Sequence, residues 1–283
     1  MRIGITGYEG FIGKTVKEEL EREGDSVILL KRDAGLPENL DWVLHFAAAT
    51  DVAASVKNPF FTYSNNIEST LRALETAHKS GNAAFLFMSS YVYGEPEYLP
   101  VDEKHPLKCA NPYMGSKVTG EMICRQLSEL LGIPLVIFRG FNIYGDSRIS
   151  GRLIPDLLES VRNGTRMTLN DPDPRRDYLY IKDFTALIKK LIRQKPVKTG
   201  TYNVGYGKSY SNLEVAEMVR FLDGKKWDIS VTKKKRESDV SDTAPDTGLI
   251  KKVFSWHPAY SLEEGLGELV RIRREERKAA GKS

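Results

Sequence analysis

The sequence predicts an α/β protein in which a doubly wound parallel sheet is followed by a smaller C-terminal α/β lobe. Short apolar runs alternate with amphipathic stretches through the first half of the chain, as expected for parallel strands joined by crossover helices. Glycine recurs every third residue in the turn after the first apolar run. The alternation of apolar runs and amphipathic stretches becomes less regular after Gly145. We therefore expect one domain over residues 1–145, with returning elements near 176–205, and a second lobe formed mainly by residues 146–283.

The individual elements follow from the spacing of apolar residues. Strands are short apolar runs bounded by turn residues, and helices carry apolar residues at intervals of three and four. Strands are predicted over residues 2–6, 26–30, 41–47, 84–89, 134–139 and 178–181, with another ending at 205. Helices are predicted over residues 12–23, 60–80, 113–131, 155–163, 182–193, 213–222 and 261–277. Ser211 or Asn212 is a credible cap for the helix that begins at 213.

The composition limits the class of protein. A chain of 283 residues with 41% hydrophobic and 28% charged residues is typical of an ordinary globular protein. Its two cysteines and four histidines lack the spacing of a disulfide framework or a zinc site, so no metal is expected. No apolar run approaches the ~18 residues of a membrane span, and the N-terminus lacks an apolar signal segment. We expect a cytoplasmic protein with no membrane association.

Basic residues cluster at 233–236 and again between Arg271 and Lys282. No aromatic interleaving or DNA-reading motif accompanies either cluster. Because runs of like charge most often form a solvated face or a helix end, nucleic acid is not expected as a partner.

The segment Gly7-Tyr-Glu-Gly10-Phe11-Ile12-Gly13 lies between the first predicted strand and the first predicted helix. Glycines there let the chain turn tightly and let backbone N–H groups approach a pyrophosphate at the helix N-terminus. A glycine triplet alone is often only a turn, but the strand before it and the helix after it indicate dinucleotide binding in a Rossmann-like sheet. Gly7, Gly10, Phe11, Ile12 and Gly13 are therefore candidate cofactor-binding residues.

The second predicted strand ends in Leu30-Lys31-Arg32-Asp33. An acidic residue at this position binds the ribose 2′-hydroxyl of NAD, whereas basic residues accommodate the 2′-phosphate of NADP. Lys31 and Arg32 therefore favour NADP over NAD. In the alternative, Asp33 binds the hydroxyl and the two cations face water.

Tyr113 and Lys117 are four residues apart at the start of a predicted helix, and hence on one face of it. A phenol with a pKa near ~10 is a poor base at neutral pH, but a neighbouring ammonium favours the phenolate. The pair could then exchange a proton with a carbinol oxygen while a nicotinamide cofactor exchanges hydride with its carbon. Alone, such a pair is more often two surface neighbours.

Ser89 and Ser90 end the buried apolar run at the carboxyl edge of the predicted sheet, where open parallel sheets bind ligands. A hydroxyl there can hydrogen-bond the same reacting oxygen as Tyr113. The alternative is that both serines cap the end of the strand.

Together these motifs resemble those of the extended short-chain dehydrogenase/reductases, in the nucleotide-sugar epimerase/dehydratase branch. The resemblance covers nearly the whole chain and includes Thr6-Gly7-x-x-Gly10-Phe11-Ile12-Gly13, His45-Phe46-Ala47-Ala48, Asn65-Asn66-Ile67, Val92-Tyr93-Gly94, Tyr113-x-x-x-Lys117, Arg139-Gly-Phe141-Asn142-Ile143-Tyr144-Gly145 and Arg176-Asp177-Tyr178. It implies a dinucleotide-binding domain, a C-terminal substrate-binding lobe and a nucleotide-diphosphate sugar as substrate. It also implies a homodimer formed through the helices predicted at 60–80 and 113–131.

The resemblance assigns roles to individual residues. The family's catalytic hydroxyl stands four residues before the tyrosine of the Val-Tyr-Gly signature, which is Ser89 here, and Tyr113 is then the acid/base beside Lys117, which binds the nicotinamide ribose. The implied cofactor contacts also include Phe46, Ala47, Ala48 and Asn66, and the implied substrate contacts are Ser90, Asn142, Arg176 and Arg236. For Arg176 the alternative is a surface salt bridge with Asp171, Asp173 or Asp177.

Two departures from the family narrow the chemistry. Family 4,6-dehydratases follow the catalytic hydroxyl with an Asp-Glu pair, and family 3,5-epimerase/4-reductases carry a cysteine where Tyr91 stands. In this chain these positions hold Ser90-Tyr91. The lack of the acid pair disfavours dehydration, and the lack of the cysteine disfavours the second proton-transfer step of the 3,5-epimerase/4-reductases. The expected reaction is reversible hydride transfer at a sugar carbinol, at C4, by an epimerase or a ketoreductase. A 4,6-dehydratase and a non-catalytic NAD(P)-sensing protein on the same fold remain as alternatives.

Overall fold

The computed structural model describes residues 1–32, 35–224, 228–232 and 240–281. A parallel sheet of six strands lies at its centre, in the order β2-β1-β3-β4-β5-β9. These strands are β1 (Arg2–Thr6), β2 (Ser26–Leu29), β3 (Trp42–His45), β4 (Ala84–Ser90), β5 (Leu135–Gly140) and β9 (Gly200–Val204). The chain leaves β1 towards β2 and then crosses to β3 on the other side of β1. This reversal leaves a crevice beyond the carboxyl ends of β1 and β3, where such sheets bind ligands.

Helices cover both faces of the sheet. On one face lie α1 (Phe11–Arg22), α6 (Ile181–Arg193) and α8 (Gly248–Phe254); on the other lie α3 (Pro59–Lys79) and α4 (Pro112–Leu131), with the short α2 (Val52–Lys57) leading into α3. Successive side chains of β4 point to opposite faces. Phe85 and Phe87 pack with α3 and α4, whereas Leu86 and Met88 join the core on the α1 and α6 side.

A smaller lobe adjoins the carboxyl edge of this sheet. Its helices α5 (Leu153–Asn163), α7 (Asn212–Asp223) and α9 (Leu262–Ala279) pack against one another. Its strands are β6 (Asn142–Tyr144), β7 (Met167–Leu169), β8 (Arg175–Tyr180), β10 (Ser209–Ser211), β11 (Ile229–Val231) and β12 (Asp242–Thr243). β8 lies between β10 and β12 and also pairs with β6, while β11 pairs with β7. Because β6 begins directly after β5, the small sheet continues from the carboxyl edge of the large one.

The predicted fold class is confirmed. The longer helices and strands begin and end within a few residues of their predicted bounds, and Ser211 caps α7 in a reciprocal capping box with Glu214. The sequence analysis did not predict α2, α8 or β6, each of which is too short to show a period. The strand predicted at 178–181 is longer, since β8 begins at Arg175.

The basic tail is only partly a solvated face, which corrects the expectation from its charge. Arg273 and Arg277 are buried, because Arg273 pairs with Asp146 and Arg277 pairs with Asp223 at 3.1 Å. Residues 233–236 and Lys282 lie outside the described residues. No helix in the described ranges is long and apolar enough to cross a membrane. Within those same ranges, no group of His, Cys, Asp and Glu side chains is arranged to hold a metal ion.

Candidate active site

The turn between β1 and α1 has glycines where a side chain has no room. Gly7 adopts a φ of 67°, and a Cβ on it would lie 2.6 Å from the backbone nitrogen of Ala47. A Cβ on Gly13 would collide with the carbonyl oxygen of Gly7. Gly10 precedes α1, and no side chain among the described residues caps this helix. The first N–H groups of α1 are therefore available to an anion such as a pyrophosphate.

A cavity of about 420 Å³ opens beside this turn, and Gly7, Lys31 and Arg32 are among its lining residues. A smaller cavity of about 100 Å³ continues from it towards α3. The Arg32 guanidinium donates a hydrogen bond from Nη2 to Asn65 Oδ1 at 2.6 Å, which holds it at the cavity. Asp33 lies outside the described residues. The two predicted cations and the glycine turn thus line one cavity.

The segment after β3 lies against the glycine turn. Its Ala47 N–H donates to Thr6 Oγ1 at 3.2 Å, and Ala47 also lines the smaller cavity. Phe46 packs edge-on against Phe184, with 6.3 Å between the ring centroids. Ala48 is half-buried beside them, as are Phe11 and Ile12 in the first turn of α1. The structure therefore brings the predicted cofactor residues of β1, α1 and β3 to one edge of the sheet.

Tyr113 and Lys117 lie in the first two turns of α4, which Asn111 caps by accepting the Met114 N–H at 2.9 Å. Burial raises the pKa of the Tyr113 phenol, whereas the Ser90 hydroxyl and the Arg152 guanidinium lower it. The Lys117 ammonium is buried and donates from Nζ to the carbonyl oxygen of Met88 at 2.8 Å. Burial lowers the pKa of Lys117 to about 8.

The two serines at the end of β4 point in different directions. Ser89 Oγ donates to Glu121 Oε1 at 2.6 Å and is buried beneath α4. Ser90 is half-buried, and its hydroxyl lies close enough to the Tyr113 phenol to lower the pKa of that phenol. The hydroxyl beside Tyr113 is thus Ser90 and not Ser89, the residue selected by counting back from Tyr93. The alternation of side chains along the strand is the physical reason.

The predicted substrate residues lie on adjacent strands of the small sheet. Asn142 on β6 donates from Nδ2 to the carbonyl oxygen of Asp177 on β8 at 3.0 Å. Arg176 precedes Asp177 on β8, and its charge acts on the phenol of Tyr91. Arg236 lies outside the described residues. Asn142 and Arg176 therefore lie together in the small sheet, which starts at the carboxyl edge of the large one.

A sequence model of the NAD dependent epimerase/dehydratase family matches residues 3–205. The matched part contains the glycine turn, both serines, Tyr113 and Lys117. The chain belongs to this family. The prediction of an extended short-chain dehydrogenase/reductase is confirmed.

Similar proteins extend this finding over most of the chain. The UDP-glucose 4-epimerase of Mus musculus is 33% identical over 259 residues, which cover 82% of this chain and 74% of the mouse protein. The crystal structure of the UDP-glucose 4-epimerase of Thermotoga maritima with UDP-glucose matches with a TM-score of 0.86 and 26% identity, over 97% of this chain and 99% of that one. RMD from Pseudomonas aeruginosa, complexed with NADPH, shares the fold with a TM-score of 0.87 and 23% identity, over 97% and 99% of the two chains.

The family resemblance predicts that Asn66 contacts the cofactor, and the structure shows the protein partners of its side chain. Asn66 is buried, and its carboxamide contacts Ala49, Asn65 and Ser116. A carboxamide has two N–H donors and two acceptor sites, and these contacts use all of them. A contact between Asn66 and the cofactor stays a prediction.

The sequence analysis gave no role to three charged residues of this site, of which only Arg139 stood in a motif of the family resemblance. Glu121 and Arg139 form a buried ion pair at 2.7 Å behind Ser89. Glu121 continues the spacing of Tyr113 and Lys117 by four more residues, and that helical period could have revealed it. Arg152 precedes α5 and acts on Tyr113 from the second lobe. No sequence signal points to it, because only the packing of the two lobes brings it there.

Proposed function

We propose that this protein is a nucleotide-sugar 4-epimerase, which moves hydride reversibly at C4 of the sugar in a nucleoside diphosphate sugar. The observation that carries the proposal is the arrangement of Tyr113, Ser90 and Lys117 at the carboxyl end of β4, next to the glycine turn. The similarity to UDP-glucose 4-epimerases supports the choice of carbon and makes UDP-glucose the first substrate to test.

The residues around the turn fit a nicotinamide dinucleotide. Gly7 and Gly13 allow a tight turn, because a Cβ on either would collide with neighbouring backbone, and the uncapped N-terminus of α1 offers its N–H groups to a pyrophosphate. Ala47 lines the cavity where the adenosine half would bind, and the family resemblance assigns the nicotinamide ribose to Lys117. When bound, the nicotinamide supplies the hydride acceptor and donor.

Tyr113 is the proton carrier in this proposal. Its Oη takes the proton from the C4 hydroxyl as the C4 hydrogen leaves, and returns it when hydride adds to the opposite face of the C4 carbonyl. The Ser90 hydroxyl holds the same oxygen through a hydrogen bond. Because burial raises the pKa of Tyr113, positive charge must lie near the phenol for it to act as a base. The Arg152 guanidinium supplies such a charge in the structure, and in this proposal the Lys117 ammonium, one helical turn from Tyr113, adds to it.

A ketoreductase is the second candidate, favoured by the cations at the end of β2. A reductase consumes NADPH with each turnover, whereas an epimerase regenerates its bound cofactor. A 4,6-dehydratase is not supported. The place of its acid pair holds Tyr91, which donates its hydroxyl to the carbonyl oxygen of Gly94 at 2.6 Å and has its pKa raised by burial.

The direct test follows UDP-glucose and its C4 epimer by NMR, with NADPH absorbance measured in parallel. Wild type is expected to interconvert the two sugars without net NADPH oxidation. Tyr113→Phe should keep dinucleotide binding and lose about 10²- to 10⁴-fold in turnover, because only the proton carrier is removed. Tyr98→Phe, which removes a surface hydroxyl bonded to Asp102, is the matched control. Unchanged turnover in Tyr113→Phe, or stoichiometric NADPH oxidation, would reject the epimerase assignment.

We propose NADP as the preferred cofactor. Lys31 and Arg32 line the cavity beside the glycine turn, where a ribose 2′-phosphate would lie. Arg32→Ala should weaken NADPH binding by roughly 10- to 100-fold, the loss of one hydrogen-bonded charge contact, and leave NADH binding nearly unchanged. Fluorescence titration of both cofactors measures this. If Arg32→Ala kept the preference for NADPH over NADH, Arg32 would not be the residue that binds the ribose 2′-phosphate.

We also propose a homodimer formed through α3 and α4. Large apolar side chains are exposed on this side of the molecule, among them Phe60 (87% exposed), Val56, Met122 and Leu130. Phe60→Asp should shift the protein from dimer to monomer in size-exclusion chromatography with light scattering, because it places a charge in an apolar interface. Phe221→Asp, at another exposed phenylalanine on α7 (77% exposed), should leave the dimer intact.

A further inference from the structure

The cavity beside the glycine turn carries side chains of opposite charge. Lys31 and Arg32 line it from the end of β2, and Glu9 lines it from within the turn, next to Gly10. All three of these charged residues are exposed. Because β1 and β2 are paired neighbours in the sheet, the turn after β1 and the residues after β2 lie side by side. A ligand in this cavity therefore meets one carboxylate as well as two cations.

These opposite charges do not pair with each other across the cavity. The Arg32 guanidinium donates instead to Asn65 Oδ1 on α3. Among the residues that the structure describes, Glu9 forms no ion pair with either cation. Exposed ion pairs contribute little to stability, so the folded protein loses little by keeping these charges apart. The Glu9 carboxylate therefore remains available to a ligand that enters the cavity.

The adenosine ribose of a nicotinamide cofactor can present two different groups to these charges. The 2′-hydroxyl of NAD can donate a hydrogen bond to a carboxylate, and the charge of the acceptor strengthens such a bond. The 2′-phosphate of NADP has a charge of roughly −1.5 to −2 at neutral pH and offers mainly acceptor oxygens. It is attracted by cations and repelled by a carboxylate. The two sides of the cavity therefore favour different forms of the cofactor.

We propose that Glu9 is a cofactor-specificity residue, which binds the ribose 2′-hydroxyl of NAD and opposes the preference for NADP that Lys31 and Arg32 create. This proposal rests on the binding of the adenosine half in this cavity, as proposed above. The preference between the two cofactors is then a difference between two opposing contributions, and the end of β2 does not set it alone. Because Glu9 is exposed, water screens its charge, and each effect amounts to about a fewfold change in affinity.

The sharpest test uses AMP and adenosine 2′,5′-bisphosphate, because these fragments differ only in the 2′-phosphate and contain no nicotinamide. Calorimetric titration gives the Kd of each for wild type and for Glu9→Gln, which removes the charge and keeps the size of the side chain. Glu9→Gln should bind the bisphosphate about three- to fivefold more tightly, because it lacks the repulsion. It should bind AMP about two- to fivefold more weakly, because a neutral amide is a weaker acceptor. The ratio of the two Kd values should therefore change by about tenfold.

Glu18→Gln is the matched control. Glu18 is an exposed carboxylate on α1, 4.0 Å from Lys14 Nζ, and it is not among the described residues that line the cavity. Its removal changes the net charge equally and should leave the Kd ratio within about twofold of wild type. Glu9→Lys, which reverses the charge, should shift the ratio further in the direction of Glu9→Gln. Equal shifts in Glu9→Gln and Glu18→Gln, or no shift in Glu9→Gln, would overturn the proposal.

The Arg32→Ala background separates a direct contact from an indirect one. If Glu9 acts on the 2′ group itself, Glu9→Gln should change the Kd ratio about as much in this background as in wild type, because the two side chains act independently. If Glu9 only competes with the ligand for the Arg32 guanidinium, its effect disappears when Arg32 is removed. Such a disappearance would overturn the direct role.

The same titrations distinguish this proposal from the NADP preference and from the epimerase assignment. A wild type that binds AMP more tightly than the bisphosphate, yet shifts towards the bisphosphate in Glu9→Gln, rejects the NADP preference and supports the role of Glu9. A wild type that shows the shift without converting UDP-glucose rejects the epimerase assignment and likewise supports the role of Glu9. A wild type that binds neither fragment rejects the adenosine site and the role of Glu9 with it.

Discussion

Two buried networks hold α4, and they do so by different means. The first, which we call the neutral network, contains no ionised group and joins the buried side chains of Thr6, His45, Thr70, Asn66 and Ser116. It reaches the first turn of α4 through Ser116, which donates to the carbonyl oxygen of Tyr113. The ionic network, formed by Ser89, Glu121, Arg139 and Tyr93, lies about two turns further along. The neutral network therefore brings no ionised group close to the Tyr113 phenol, which must gain and lose a proton. The ionised pair of Glu121 and Arg139 lies further along the helix.

The charged side chains of the ionic network are almost completely buried. Glu121 and Arg139 are both buried, and Arg139 Nη1 also donates to Tyr93 Oη at 3.2 Å. Burial opposes the ionisation of Glu121, but the hydrogen bonds and charge of Arg139 outweigh it and hold the pKa of Glu121 below its usual value. Loss of either partner would leave the other charge buried and unpaired. The comparison therefore predicts large effects on folding from the ionic network and large effects on chemistry from the residues beside Tyr113.

The largest expected effect is on folding. Arg139→Met should lower the free energy of unfolding by about 3–5 kcal/mol, because it leaves the Glu121 carboxylate buried without its main partner. Arg125→Met is the control, since Arg125 contacts the same carboxylate at 2.8 Å from a partly exposed position and should cost less than about 1 kcal/mol. Urea unfolding measures both. Similar losses of unfolding free energy in the two variants would show that the effect does not depend on burial of the ion pair.

The two serines of β4 separate chemistry from stability. Ser90→Ala should lower kcat about 10²- to 10³-fold, as expected for the loss of a donor to the reacting oxygen, with little change in the free energy of unfolding. Ser89→Ala should retain turnover and lower the free energy of unfolding by about 1.5–3 kcal/mol, because it removes a hydrogen bond to a buried carboxylate. The opposite pattern would restore Ser89 as the catalytic hydroxyl.

The smallest effect concerns acid stability. The pKa of His45 is about 3 in the folded protein and about 6.5 in an unfolded chain. Below pH ~6.5 the unfolded state binds the extra proton, so this residue makes stability fall as the pH falls, by about 1.4 kcal/mol per pH unit. Above that pH its contribution is constant. His45→Gln should have a shallower slope between pH 6.5 and 5 in urea unfolding, and an unchanged slope would contradict a neutral buried ring.

The local sequence was sufficient to predict a feature of the site wherever that feature depends on backbone geometry. Gly7 and Gly13 mark the turn because a Cβ cannot be accommodated there, and the four-residue spacing of Tyr113 and Lys117 places both on one face of a helix that the structure contains. Counting along the chain selected Ser89, whereas the structure places Ser90 beside Tyr113. Their roles depend on which face of β4 is covered by α4, which is a property of packing.

The sequence by itself determined the fold class, the cofactor turn and the candidate pair on α4, since each follows from periodicity or from a backbone conformation available only to glycine. Tertiary structure decided which hydroxyl meets Tyr113, and it bonded the Asn66 side chain to Ala49, Asn65 and Ser116. It also placed Glu121 and Arg139 together and brought Arg152 across from the second lobe. These outcomes depend on donors and acceptors that are far apart in the chain, and only the folded protein matches them.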